Sequence, residues 1–118
     1  VTAVNKLPRS KAVAARMAAL DRSAERAADF LRAVAHPGRL RVICALVDGQ
    51  CSASELARRA HLRAPALSQQ AAKLEAEGLI ERRRVAQSVL YRLVSAEAVA
   101  LAELLHRTFC RTAPPKTR

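Results

Sequence analysis

The chain has 118 residues, of which 21 are lysine or arginine against 10 aspartate or glutamate, giving a formal net charge of +11, and only 3% are aromatic. That length fits one domain with a modest aliphatic core, and the charge exceeds the magnitude of roughly 2 to 8 that serves solubility in a small domain, so a polyanionic partner is expected. No stretch approaches the roughly 20 apolar residues of a membrane span, and no charged-then-apolar N-terminal segment resembles a signal peptide, so the expectation is a cytoplasmic protein that binds no membrane.

Residues 1–10 are basic and contain Pro8, which reads as a flexible arm. From Lys11 to Ala35, the residues Val13, Met17, Leu20, Ala24, Ala27, Leu31 and Val34 alternate spacings of four and three, the seam of a coiled-coil-like helix. Either one long helix runs through, or Asp21-Arg22-Ser23 breaks it and caps a second. The seam asks for a partner, from its own core or from a second copy of the chain.

His36-Pro37 ends that helix and opens another, expected to run to about Asp48 and stop at Gly49. Its apolar residues are Leu40, Ile43, Leu46 and Val47. Cys44 lies one turn beyond Leu40, on or beside the buried face, and Arg39 and Arg41 share the solvent side.

Ser52 and Glu55 stand at capping-box spacing, which starts a helix at Ala53 with Leu56, Ala57 and Ala60 on one face. The segment Ala60-His61-Leu62-Arg63-Ala64 is about the length of a helix-turn-helix turn, and Pro65 suits the first position of the helix after it. There Leu67, Ala71 and Leu74 form the packing stripe, and Gly78 ends the helix. The opposite side carries small residues, amides and a lysine rather than the usual Glu/Lys mixture, which suits a DNA major groove. The candidate DNA contacts there are Arg63, Ala66, Ser68, Gln69, Gln70 and Lys73. Leu79–Arg84 and Ser88–Leu93 can pair as strands across Val85-Ala86-Gln87, although no glycine marks the turn. Arg82, Arg83 and Arg84 alternate faces of that hairpin, so at least one should reach a phosphate, and Gln87 sits at its tip.

Ser95 can cap a last helix with Val99, Leu101, Leu104, Leu105 and Phe109 as its apolar surface, ending near Cys110 before Pro114 and Pro115. The fold expected is mainly α with a small β-hairpin, a winged helix-turn-helix over residues 11–111 that dimerises through its N- and C-terminal helices, followed by a flexible tail at 112–118. No nucleophile–base–acid arrangement, glycine-rich phosphate loop or carboxylate pair stands out, and His36, His61 and His106 form no cluster in sequence. Neither an enzyme nor a cofactor is expected.

The segments AHPGRLRVICAL, SELARRAHLRAPALSQQAAKLEAEGLI and SVLYRL, in this order and spacing, resemble the ArsR/SmtB-type repressors over roughly Ala27 to Cys110. The resemblance implies a dimeric winged-helix repressor that an effector releases from an inverted-repeat operator in double-stranded DNA. Two of that family's metal-site patterns fail. A CxC thiolate pair near Ser52–Glu55 has only Cys51 nearby, and the site on the C-terminal helix would fall on Ser95, Glu97, Thr108 and Arg111, of which Glu97 alone could ligate. What remains resembles the BigR-like sulfide- and redox-responsive branch, with one cysteine in the helix after His-Pro and another at the end of the last helix after an aromatic residue. Cys44 in VICALV and Cys110 in RTFC match both positions. The resemblance implies that reactive sulfur species or oxidants bridge this pair and that the bridged dimer leaves DNA.

Taken alone, Cys44 also fits a small core hydrophobe. Cys110 has His106, Arg107 and Arg111 around it; these favour thiolate, while the helix C-terminal dipole opposes it. With Cys44 buried and Cys110 exposed, attack would begin at Cys110. Cys51 reads as incidental at a loop end, or as a third thiolate for a soft metal or arsenite. A thiolate-based metal or arsenite repressor and a non-sensing architectural DNA binder both stay open beside the sulfur-sensing reading.

Overall fold

The computed structural model describes residues 10–110, and the expected basic arm before Ser10, the C-terminal tail and the Cys110 side chain lie outside the described residues. The chain divides between Arg32 and Ala33 into two compact units.

The first unit holds nearly all of α1 (Ser10–Val34), a single helix of 25 residues. The break considered at Asp21-Arg22-Ser23 does not form. No glycine or proline lies within the helix and the segment is rich in alanine, so the caps available at Asp21 and Ser23 compete against uninterrupted helix propensity. Along its seam Val13, Met17, Leu20 and Leu31 stand 46%, 49%, 50% and 55% exposed, and Val34 alone of the bulky seam residues is buried.

The second unit is the winged domain. His36 adopts extended backbone and caps α2 (Pro37–Leu46), its Nδ1 accepting from the Gly38 amide at 2.9 Å while Pro37 takes the first turn, where its missing N–H leaves no bond unmade. This helix ends at Leu46, short of the expected Asp48. Its buried stripe is Gly38, Val42, Ile43 and Leu46. Then come β1 (Cys51–Ser52), α3 (Ala53–Ala60) and α4 (Ala64–Ala76). A hairpin of β2 (Ile80–Val85) and β3 (Ser88–Leu93) leads to α5 (Ala96–Leu105), which loosens into a π-helical turn over His106–Cys110.

The sheet has three antiparallel strands in the order β1-β3-β2. Cys51 pairs with Tyr91 and Ser52 with Leu90 on one side of β3, and Ile80 pairs with Leu93 on the other. The core between sheet and helices is aliphatic, built on Val42, Ile43, Leu46, Leu56, Leu67, Leu74 and Ile80, with Tyr91 its one buried aromatic ring among the described residues. The face of α5 that enters this core is made of Ala98 and Ala102, which leaves Leu104 and Phe109 on the apolar surface expected of this helix. Two methyl side chains let the helix approach closely, which turns Leu104 and Phe109 outward, Phe109 to 70% exposure.

Candidate nucleic-acid interface and thiol positions

Local chemistry sets the helix-turn-helix. Ser52 Oγ accepts from the Glu55 amide at 3.1 Å and starts α3 where the sequence places it. The reciprocal half of the capping box is absent, because the Glu55 carboxylate pairs instead with Arg58 and Arg59 one turn along. At the far end His61 takes a left-handed conformation, φ 57°, and the Leu62 amide donates back to Ala57 O at 2.9 Å, so the chain reverses without glycine. Arg41 Nε donates to Ala60 O at 2.8 Å, satisfying one of the carbonyls that the end of α3 leaves unpaired. Arg41, read from sequence as a solvent-facing residue, is therefore a brace between α2 and α3.

In α4 the turn delivers Ala64 first and Pro65 second, one residue off the expected register. Leu67, Ala71 and Leu74 are buried, as their spacing requires. That leaves Arg63, Ser68, Gln69 and Lys73 exposed and Ala66 half-buried on the outer side. Arg63 forms no side-chain cap at the N-terminus, so amides of the first turn stay open to an anion. Gln70 differs from its neighbours. It is half-buried and its Oε1 accepts from Arg39 Nη1 at 2.7 Å, while Arg39 Nε donates to Ala33 O at 2.6 Å. Arg39 is thus half-buried and engaged between elements, whereas Arg41 stays exposed while it braces α3.

Across the hairpin Arg82, Arg83 and Arg84 stand opposite Tyr91, Leu90 and Val89, and all three are exposed, where the sequence required only one. Ala86 and Gln87 close the turn, with Ala86 at φ 55° in the place a glycine would normally take. Glu81 pairs with Arg92 directly across the strands. None of the four salt bridges among the described residues uses Arg63, Lys73, Arg82, Arg83 or Arg84. Their charges accordingly face solvent on the recognition helix and the wing.

Cys44 is exposed, which corrects its expected place on or beside the buried face. A stripe of Leu40, Ile43, Leu46 and Val47 would bring Cys44 to its edge, but Val42 belongs to the buried face as well. With Val42, Ile43 and Leu46 in the core, the hundred-degree step of the helix carries Cys44 nearly opposite them. The buried Cys44 on which an attack beginning at Cys110 was premised is therefore not found. Cys51 is not at a loop end: it is 6% exposed and sits in the strand paired with Tyr91. Helices α2 and α5 pack together, and Cys110 closes the π turn that continues α5. Among the described residues no group of three or more His, Cys, Asp or Glu side chains could hold a metal ion, and no helix is long and apolar enough to cross a membrane.

The model of the bacterial regulatory proteins of the arsR family matches residues 36–82, from the cap of α2 into β2. The transcriptional activator HlyU of Vibrio cholerae serotype O1 is 37% identical over 105 residues, covering 89% of this chain and 97% of HlyU. The chain belongs to the ArsR family. Within it, the biofilm growth-associated repressor of Agrobacterium fabrum is 38% identical over 92 residues, 78% of this chain and 79% of that one. The crystal structure of the transcriptional repressor BigR from Xylella fastidiosa superposes with a TM-score of 0.75 at 35% identity, over 80% of this chain and 96% of BigR. This ArsR-family chain is therefore a winged-helix transcriptional regulator and not an enzyme, in line with the resemblance read from its motifs.

Two features of this ArsR-family chain escaped the sequence. A two-residue strand exists only through its pairing with β3, and nothing local announces it. The Arg39–Gln70 bond joins residues 31 apart, beyond the reach of periodicity. A polar residue on the flank of a buried helical stripe was the available sign, since such a side chain needs a partner.

Proposed function

We propose that this chain is a homodimeric repressor that binds an inverted-repeat operator and senses reactive sulfur species or oxidants through Cys44 and Cys110. The observation that carries the reading is the outward thiol of Cys44 on a helix packed against α5, whose continuation bears Cys110. A cysteine kept only for packing would lie among Val42, Ile43 and Leu46 instead. The similarity to two repressors, one of them BigR, supports the same direction, while the likeness to an activator leaves the sign of regulation to the operator's position.

In this reading Ser68 and Gln69 on α4 meet base edges, with Ala66 small enough to let the helix approach. Arg63, Lys73, Arg82, Arg83, Arg84 and Gln87 contact phosphates, which position the protein without carrying sequence information. Two-fold symmetry sets the recognition helices roughly 34 to 36 Å apart, one turn of duplex.

The sensing chemistry balances with a persulfide, RSSH, as oxidant. One cysteine thiolate takes the outer sulfur, leaving RSH and a cysteine persulfide. The second thiolate then attacks the inner sulfur of that persulfide and expels hydrosulfide. Two thiols and RSSH become a disulfide, RSH and hydrogen sulfide, a two-electron oxidation of the protein. The bridge ties α2 to the end of α5 and stabilises a dimer that fits the operator poorly. A hundredfold release needs about 2.7 kcal/mol of coupling between thiol state and DNA.

Peptide mapping by mass spectrometry after persulfide treatment tests this step. A cross-linked species joining the Cys44 and Cys110 peptides, with the Cys51 peptide unmodified, is expected. Cross-links through Cys51, or persulfides that accumulate without any bridge, would contradict it.

A further inference from the structure

Hydrophobic packing along Leu67, Ala71 and Leu74 sets which face of α4 meets the core, and polar contacts on the flanks of that stripe can refine the rotation further. Leu67, Ala71 and Leu74 form a narrow stripe with a small residue at its centre, and apolar burial is non-directional. Rotation matters for reading bases, because side chains stand about 5 to 6 Å from a helix axis and a roll of about 10° moves their tips by about 1 Å. A directional tether on the flank of the stripe would resist that roll better than one at its centre. Gln70 occupies such a flank position, next to Gln69 and half-buried.

We propose that Arg39 and Gln70 form a clamp that sets the rotation of α4, making Arg39 a positioning residue for base discrimination although its own guanidinium is directed inward. The guanidinium spans two elements at once: Nη1 donates to Gln70 Oε1 at 2.7 Å and Nε donates to Ala33 O at 2.6 Å. Ala33 lies in the last turn of α1, where carbonyls have no helical partner and carry the negative end of the helix dipole, so a cation is well placed there. The planar fork holds both acceptors in fixed relative geometry, which a lysine ammonium on a flexible stem does not reproduce. Accepting from Nη1 also fixes which way the Gln70 amide faces, turning its NH2 away from Arg39. The end of α1, the start of α2 and the middle of α4 are thereby tied through one side chain.

The proposal rests on α4 being the base-reading helix, and its test separates failure of that reading from failure of the clamp. A duplex is selected from a randomised pool by the wild-type protein, and affinities for it and for a random duplex are then measured for wild type, Arg39→Met, Gln70→Met, the double variant and Arg39→Lys. Thermal unfolding of each is followed by circular dichroism. Each Met variant should lose about tenfold in the selected-to-random ratio, a loss of the size carried by one good base contact. The double variant should lose no more than either single one, and Arg39→Lys, which keeps the charge and one bond, should fall between. Additive losses would mean independent roles and overturn the clamp. Equal losses on both duplexes with a salt slope reduced by about one would make Arg39 a phosphate contact. A lowered melting temperature with an unchanged ratio would make the bond merely structural. No selection by the wild-type protein would overturn the reading of α4 itself.

Discussion

His36 closes the junction between α1 and α2 with one hydrogen bond, and Gly38 is the residue that leaves room for it. A Cβ at position 38 would stand 3.1 Å from His36 Cε1 and 3.2 Å from Nδ1, so the imidazole would have to yield by a few tenths of an ångström against the amide it caps. Alanine also gains about 1 kcal/mol of helix propensity over glycine within α2, so if the cap is lost Gly38→Ala should leave the midpoint of urea unfolding nearly unchanged. A midpoint raised by that propensity gain would show that the ring can yield without losing its bond. On α4 neighbouring side chains separate by the kind of contact they offer DNA. Gln69→Ala should relax base preference at one position of each half-site. Lys73→Ala should weaken all sequences alike and lower the salt slope by about 0.9, which titrations at several ionic strengths would resolve.

Elements differ in how much of them could be read from their own residues. The start of α3, the buried stripe of α4 and the two strands of the wing follow from a cap, a period and an alternation within a few residues, and all stand where the sequence puts them except that the first strand runs one residue later, from Ile80 to Val85. Elements shaped by distant partners were less legible. Strand β1 exists only against β3, the packing face of α5 is chosen by how closely two alanines let it approach, and the side of α2 that carries Cys44 turns on Val42. The wing turn is a further case, since Ala86 holds a left-handed backbone that costs an alanine roughly 1 to 2 kcal/mol more than glycine. After the greater backbone entropy of glycine is set against this, Ala86→Gly should stabilise the hairpin by about 0.5 kcal/mol and slow hydrogen exchange in β2 and β3. Faster exchange would mean that the side chain at 86 contributes packing that outweighs its backbone strain.

At the scale of the molecule two exposed features ask for partners. The +11 charge, with arginines on the wing and the turn before α4 outside the observed ion pairs, asks for a polyanion. The apolar seam of α1, with Val13, Met17, Leu20 and Leu31 each about half exposed, asks for apolar surface, and a second copy of the same helix supplies it with matching spacing. If the seam joins two copies, Leu20→Glu should shift the sedimentation coefficient from dimer to monomer and weaken operator binding while leaving the helical circular dichroism signal in place. A dimer that survives this change would place the contact elsewhere.

In the proposed function, thiol state controls DNA affinity through Cys44 and Cys110. Fluorescence anisotropy with a labelled operator duplex tests it most directly, comparing the reduced protein, the persulfide-treated protein and persulfide-treated Cys44→Ser and Cys110→Ser variants. A loss of about a hundredfold in the treated wild-type protein, absent from both variants and reversed by reductant, is the predicted result. Operator affinity that stays the same after treatment, or that falls equally in the variants, would contradict it.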